Sequence, residues 1–229
     1  MANECLWCKQ TISQELSVSF ILSFKPYVAV LMCEKCRQLF SPIDQTTACP
    51  DCGRKQKQPR LCEDCQIWQT RHEPQLSNRA LFPYATVQEY MGRYKFQGDY
   101  ELRKLFQKQF QSFILAHATG VLIVPIPISE KTLAVRKFNQ VEGWLEGLSY
   151  QKVLEAESRD GLPQSRKNKR ERMQLKQPFS VRNDWKQRLK NRSICLIDDV
   201  YTTGTTLHLA SDLLYSFGAK NVSSITFAR

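Results

Sequence analysis

Ser193-Ile194-Cys195-Leu196-Ile197-Asp198-Asp199-Val200-Tyr201-Thr202-Thr203-Gly204-Thr205-Thr206 is the stretch whose reading decides the fold. Its apolar first half reads as a strand buried on both faces, the pattern of a parallel sheet. Two adjacent carboxylates and a small, hydroxyl-rich turn follow. Beyond Gly204 the spacing becomes helical, with Leu207, Ala210, Leu213, Leu214 and Phe217 on one side. Gly218 stands where a left-handed C′ residue would stop the helix. Asn221 to Phe227 reads as the returning strand, so the segment is expected to form a βαβ unit.

That unit implies a chemistry. Thr202 to Thr206 would bring unpaired backbone N–H groups and hydroxyls to the positive end of a helix, a setting for a phosphate monoester. Asp198 and Asp199 precede it at the carboxyl end of the strand, where open α/β sheets bind ligands. Neighbouring carboxylates repel unless partnered, and sugar hydroxyls or hydrated Mg2+ would both serve. A phosphate cradle beside a diol-binding acidic pair points to a ribose 5-phosphate; the plainer alternative is an Asp-Asp loop before an ordinary capped helix. Leu196 to Thr206 also resembles the phosphoribosyl pyrophosphate (PRPP) signature of type I phosphoribosyltransferases. The resemblance implies that Asp198 and Asp199 are catalytic and take the ribose hydroxyls. It gives the 5′-phosphate to Tyr201, Thr202, Thr203, Gly204, Thr205 and Thr206.

The 229 residues suffice for one α/β domain plus a small module, and 42% hydrophobic content is enough for a packed core. No apolar N-terminal run and no stretch near ~20 apolar residues occurs, so a cytoplasmic protein without membrane insertion is expected. Nine cysteines in such a chain argue against a disulfide framework. Cys195 stands alone in the buried strand and reads as a small core hydrophobe. The other eight form Cys-x-x-Cys pairs: Cys5/Cys8, Cys33/Cys36, Cys49/Cys52 and Cys62/Cys65.

Each pair can present two thiolates to one metal, and two pairs complete a tetrahedral Zn2+ site. Sequential pairing puts Cys5, Cys8, Cys33 and Cys36 on one ion and Cys49, Cys52, Cys62 and Cys65 on the other; spacing alone also allows interleaved pairing. All-thiolate sites are closed, hence structural, and would supply the folding energy that so small a module lacks. Val18 to Met32, inside the first set, reads as a hairpin or short helix. The expected division is a zinc module at 1–68, a linker at 69–78 and an α/β domain at 79–229.

In the middle of the chain, Gln66 to Ser77 reads as a linker and Arg79 to Ala85 as an edge strand interrupted by Pro83. Val87 to Phe96 and Tyr100 to Ala116 carry helical spacing. Val121 to Val124 is a further short strand ending in Pro125-Ile126-Pro127, and Arg136-Lys137-Phe138-Asn139-Gln140 opens another helix, with Asn139 suited to an N-cap. The four cysteine pairs, Tyr94-Lys95-Phe96-Gln97-Gly98-Asp99, Val124-Pro125-Ile126-Pro127, Arg136 to Gln140 and the PRPP signature occur in the order seen in the ComF family of competence proteins. The resemblance spans essentially the whole chain. Two positions depart from it: Lys137, where the family usually has Gly, and Gln174, where it usually has Asn.

The resemblance implies a role in natural transformation, with single-stranded DNA and the ComFA helicase as partners. It also implies PRPP with Mg2+ as ligand. The pyrophosphate would meet the loop from Ile126 and Pro127 to Lys131, with Arg136 as the matching cation. Lys95 is a further candidate for a phosphate contact.

The net charge of +11 is concentrated between Arg159 and Arg192. Arg166, Lys167, Lys169, Arg170 and Arg172 are nearly contiguous, and charge runs are usually solvated loops. Two functional readings compete with that one. In type I phosphoribosyltransferases a mobile loop closes over pyrophosphate and brings cations to the leaving group, the part Arg172 would take. The same five residues could track nucleic-acid phosphates, with Phe179 and Trp185 for base stacking. The expected fold is thus a type I phosphoribosyltransferase-like parallel α/β sheet with helices on both faces, preceded by a double-zinc module. Three functions fit: a PRPP- and DNA-binding accessory protein, an active phosphoribosyltransferase acting on an unidentified acceptor, and a PRPP-sensing regulator.

Overall fold

The computed structural model describes residues 2–13, 19, 22–24, 27, 29–70, 76–157 and 177–229. Arg166, Lys167, Lys169, Arg170, Arg172 and Gln174 lie outside the described residues, and Val18 to Met32 is described only in part. The N-terminal elements are strands β1 (Ala2–Glu4) and β2 (Thr11–Ser13), then helices α1 (Glu34–Arg37) and α2 (Glu63–Gln69). Strand β3 (Ser77–Phe82) leads into helices α3 (Tyr84–Phe96) and α4 (Arg103–His117). Strand β4 (Leu122–Pro125) precedes helices α5 (Glu130–Arg136) and α6 (Gln140–Leu145). Hairpin strands β5 (Leu154–Ala156) and β6 (Phe179–Val181), strand β7 (Ser193–Val200), helix α7 (Thr205–Ser216) and strand β8 (Asn221–Ala228) complete the chain.

The main sheet has the order β3-β8-β7-β4, and every neighbouring pair is parallel. Strand β7 is central and lies beside β4 with Leu196 opposite Val124, and beside β8 with Asp198 opposite Thr226. Its side chains alternate as the pleat requires. Cys195 and Ile197 enter an aromatic core beneath α3, α4 and α6; Ile194 and Leu196 enter a second core under α7 and the β5–β6 hairpin. In the first core Trp144 stacks on Phe227 at 4.4 Å between ring centroids, flanked by Tyr90 and Phe110. Each of these buried rings contributes about 2–3 kcal/mol through surface removed from water.

Both cysteine groups pack on this domain. Trp7, next to the first knuckle, meets Phe40 edge-on at 5.4 Å and lies under the Arg93 guanidinium at 4.5 Å. The second group covers the sheet's edge: Ile43 N–H donates to the Leu81 carbonyl at 2.8 Å and Gln45 Nε2 to that of Ala80 at 3.0 Å. These bonds fill carbonyl acceptors that an edge strand would otherwise expose.

Several boundaries differ from expectation for identifiable reasons. Pro83 does not interrupt a strand running to Ala85; it has extended angles and N-caps α3, so the strand ends at Phe82 and the helix begins at Tyr84. Helix α2 runs to Gln69, into the stretch read as linker, because Trp68 is buried. Arg136 to Gln140 closes one helix as well as opening the next: Lys137 is the left-handed C-cap of α5 at φ 68°, and Asn139 N-caps α6. Phe179 and Trp185, read as base-stacking aromatics, are instead 5% and 6% exposed in the second core. Cys195 is buried as expected, and burial pushes its thiol up to about 12.

Candidate functional site

The turn after β7 is built around Gly204, whose φ of 83° lies in the left-handed region. A Cβ there would collide with the Tyr201 hydroxyl, so glycine is required by space as well as by angle. Thr203 Oγ1 and Thr205 Oγ1 share a hydrogen bond of 2.9 Å, and Thr205 N–H donates to Thr203 Oγ1 at 3.4 Å. The N–H groups of Thr202, Thr203, Gly204, Thr206 and Leu207 make no hydrogen bond among the described residues; the first helical bond is His208 N–H to the Gly204 carbonyl. Five donors around one helix start form a concentrated anion-seeking surface.

The acidic pair stands directly ahead of it, and its two members are treated differently. Asp199 is buried, pairs with Lys95 Nζ and accepts from Gln140 Nε2. Gln140 Oε1 in turn accepts from Arg136 Nη1, so Lys95, Asp199, Gln140 and Arg136 form one chain of contacts. Asp198 is partly exposed, and its Oδ1 accepts the Asp199 N–H at 2.8 Å. Burial, and then repulsion from Asp199, push the Asp198 carboxyl up to about 8. Burial lowers the Arg136 guanidinium from its usual range, with Asp199 acting against it.

The loop after β4 borders the same ground. Ile126 is buried; its N–H donates to the Ile197 carbonyl at 2.9 Å and its carbonyl accepts from Asn139 Nδ2 at 3.2 Å. Asn139 Oδ1 also accepts the Val141 N–H at 2.9 Å. Ile126 thus shapes the loop with both backbone groups engaged, and Pro127 has no N–H to offer. On the far side of Pro127 lies an open cleft of about 450 Å3, lined by Tyr100, Phe138, Glu142, Tyr150 and Lys152 among others. Nothing in the periodicity of the chain marks that cleft, because its walls come from three separate segments.

The cysteines group sequentially: Cys5, Cys8, Cys33 and Cys36 in one cluster, Cys49, Cys52, Cys62 and Cys65 in the other, with all sulfurs of a cluster within 4.8 Å. Each tetrad could hold a metal ion, and four sulfurs at such spacing suit structural zinc. Amide-to-sulfur bonds support the knuckles, Cys33 N–H to Cys5 Sγ at 3.3 Å and Cys62 N–H to Cys49 Sγ at 3.4 Å. The second tetrad is buried throughout, whereas Cys8 of the first is exposed.

Arg166 to Arg172 of the basic run fall, in sequence, between β5 and β6, which pair antiparallel. Just beyond it, Gln177 Nε2 donates to the Leu209 carbonyl at 2.7 Å, within the first turns of α7. Two residues absent from the sequence reading reach the Thr202–Thr206 turn: Trp68 Nε1 donates to the Thr203 carbonyl at 2.6 Å, and Arg229 Nη1 to the Thr202 carbonyl at 2.8 Å. Only tertiary structure could reveal them.

No helix among the described residues is long and apolar enough to cross a membrane. Comparison with known proteins finds two relatives matching nearly end to end. The chain is 35% identical over 227 residues to competence protein ComFC of Streptococcus pneumoniae, covering 99% of this chain and all of that protein. It is 34% identical over 232 residues to competence protein ComFC of Bacillus subtilis, covering 98% of this chain and 94% of that protein. No family model matches the chain.

Proposed function

We infer the function from one premise: this chain belongs to the ComFC family of competence proteins, and its role is competence-related. Within that role we propose that it binds PRPP with Mg2+ at the carboxyl edge of the sheet and single-stranded DNA along Arg166, Lys167, Lys169, Arg170 and Arg172. In this reading it works in the cytoplasm beside the ComFA helicase. The single observation that carries the PRPP reading is the group of unbonded amides at Thr202, Thr203, Gly204, Thr206 and Leu207, set directly after Asp198 and Asp199.

Roles then follow from the geometry. The 5′-phosphate would lie on those amides and the threonine hydroxyls. Asp198, the more open of the two, would face the ribose diol and the hydrated Mg2+ carried by PRPP, whose charge would favour loss of the proton held in the ligand-free protein. Asp199 would hold Lys95 and, through Gln140, Arg136 at the edge of the site, where both cations could meet the pyrophosphate. Zn2+ in both tetrads would be structural. Gln177, the described residue that follows Arg166 to Arg172 in the chain, is bonded to α7, which supports cations of that run serving either polyanion.

Calorimetric titration of PRPP with Mg2+ into the zinc-loaded protein tests the ligand. Saturable heat is expected for the wild type and none for Asp198→Asn; absence of heat in the wild type overturns the PRPP reading. Single-stranded DNA binding should weaken with salt by a log–log slope of about −0.7 per phosphate engaged. Replacing Arg170 and Arg172 should reduce that slope by roughly 1.4.

The cleft beside Pro127 favours a second reading, an active phosphoribosyltransferase that would hold its acceptor there. That reading expects pyrophosphate release from PRPP with some amine or base, lost in Asp199→Ala. It fails if PRPP binds and no acceptor gives turnover.

A further inference from the structure

Three consecutive carbonyls of the phosphate turn are held by groups bound into the second cysteine cluster. Arg229, its side chain 7% exposed, donates Nη1 to the carbonyls of Tyr201 at 3.3 Å and Thr202 at 2.8 Å. Its Nε donates to Cys52 Sγ at 3.4 Å and its Nη2 to Asp64 Oδ2 at 3.1 Å. Trp68, three residues after Cys65 on the same helix, donates Nε1 to the third carbonyl, that of Thr203. Its ring lies on His208 of α7 with centroids 4.0 Å apart and planes 12° off parallel, and His208 shares a hydrogen bond with the Tyr201 hydroxyl. The seam between cluster and turn leaves only a water-sized void of about 10 Å3, lined by Cys65, Trp68, Tyr201 and His208 among others.

A trans peptide unit is planar, and its N–H points opposite to its C=O. Pulling the carbonyls of Tyr201, Thr202 and Thr203 toward Arg229 and Trp68 therefore turns the N–H groups of Thr202, Thr203 and Gly204 the other way. Those are three of the five amides that make no hydrogen bond among the described residues. We propose that Arg229 and Trp68 are positioning residues that link the second metal site to the phosphate turn, so that an intact Cys49-Cys52-Cys62-Cys65 cluster is what preorganises the amides for a phosphate ester.

The chemistry of the cluster explains why the metal matters. Four thiolates around a divalent ion would carry excess negative charge, and the Arg229 guanidinium lies against Cys52 to offset it. An ion drawing the four sulfurs together would fix Cys52 Sγ, and with it the place of the Arg229 guanidinium. The first cluster makes no recorded contact with the turn among the described residues, so the coupling belongs to the second alone.

The inference rests on the PRPP reading for its ligand, but its test separates the two. Zinc-loaded wild type, Trp68→Phe, Arg229→Lys and Arg54→Ala are compared by metal content, by PRPP titration with Mg2+ and by NMR order parameters at Thr203 and Gly204. Trp68→Phe keeps a ring against His208 while deleting the donor. Arg54→Ala removes a neighbouring cation that pairs with Asp64, while leaving the four cysteines and the carbonyls of the turn untouched. PRPP affinity should fall about fivefold to tenfold in Trp68→Phe and at least tenfold in Arg229→Lys with both metals retained. The order parameters should drop from near 0.85 toward about 0.6 in these two variants. Arg54→Ala should stay within twofold of wild type. Unchanged affinity and order in Trp68→Phe, or an equal loss in Arg54→Ala, overturns the positioning role. Should wild type bind no PRPP, the ligand reading fails while the order parameters still decide the positioning role. Where Arg229→Lys does not fold, Trp68→Phe carries the test.

Discussion

Lys137→Gly should stabilise this protein, and the amount can be worked from the backbone. Lys137 holds φ at 68° as the C-cap of α5, with its N–H closing the helix on the Leu133 carbonyl at 2.7 Å. A non-glycine residue in that region carries a strain of about 1–2 kcal/mol. Glycine relieves it but gives back roughly 0.5–1 kcal/mol through the greater freedom of the unfolded chain. The side chain is exposed, so little packing is lost. The net gain is about 0.5–1 kcal/mol, or roughly 1–4 °C in Tm for a chain of this size. Urea unfolding of wild type, Lys137→Gly and Lys137→Ala measures it, the alanine variant removing the same charge while keeping a Cβ. A gain in Gly and none in Ala is expected. Equal gains in both would place the effect in charge rather than backbone, and a loss in Gly would refute the reasoning.

Asp198→Asn should stabilise the ligand-free protein in a pH-dependent way. Burial raises the folded carboxyl to about 8 from its ordinary 3.8, so the folded state holds a proton that the unfolded state has released, and stability falls as pH rises between those values. Asparagine removes that slope. Its advantage should be absent below about pH 4 and reach on the order of 2 kcal/mol above pH 8, after allowance for solvent screening; equal unfolding midpoints at pH 5 and pH 8.5 would contradict it. A strong chelator should release zinc in two phases, the first from the cluster containing exposed Cys8 and the slower from the buried tetrad. A colorimetric zinc indicator that records one phase would argue against the assignment. Ser211→Ala should raise stability by about 1 kcal/mol in denaturant unfolding, because the Ser211 hydroxyl is buried without a hydrogen-bond partner among the described residues. A loss would mean that the hydroxyl is satisfied.

Local features were legible in the sequence. The run from Ser193 to Val200, the Gly204 turn, the helix to Ser216 and the returning strand each depend on neighbours in the chain, so their periodicity survived folding. Cysteine spacing gave the pairs, but tertiary structure chose sequential over interleaved clusters. What spacing could not show are contacts made across long separations. Trp68 reaches Thr203 over 135 positions, and Arg229 reaches Cys52 over 177. Phe179 and Trp185 look exposed in a cationic stretch, yet the β5–β6 hairpin and the turn after it bring them into the core under α7. The left-handed position in the Arg136–Gln140 motif was hidden because a lysine, not a glycine, occupies it.

The most direct test follows the amides themselves. Hydrogen exchange at Thr202, Thr203, Gly204, Thr206 and Leu207 is measured with and without PRPP and Mg2+. A tenfold or greater slowing confined to this turn is the expected result. PRPP that binds by calorimetry while these five amides exchange as before would contradict the phosphate site proposed for this protein.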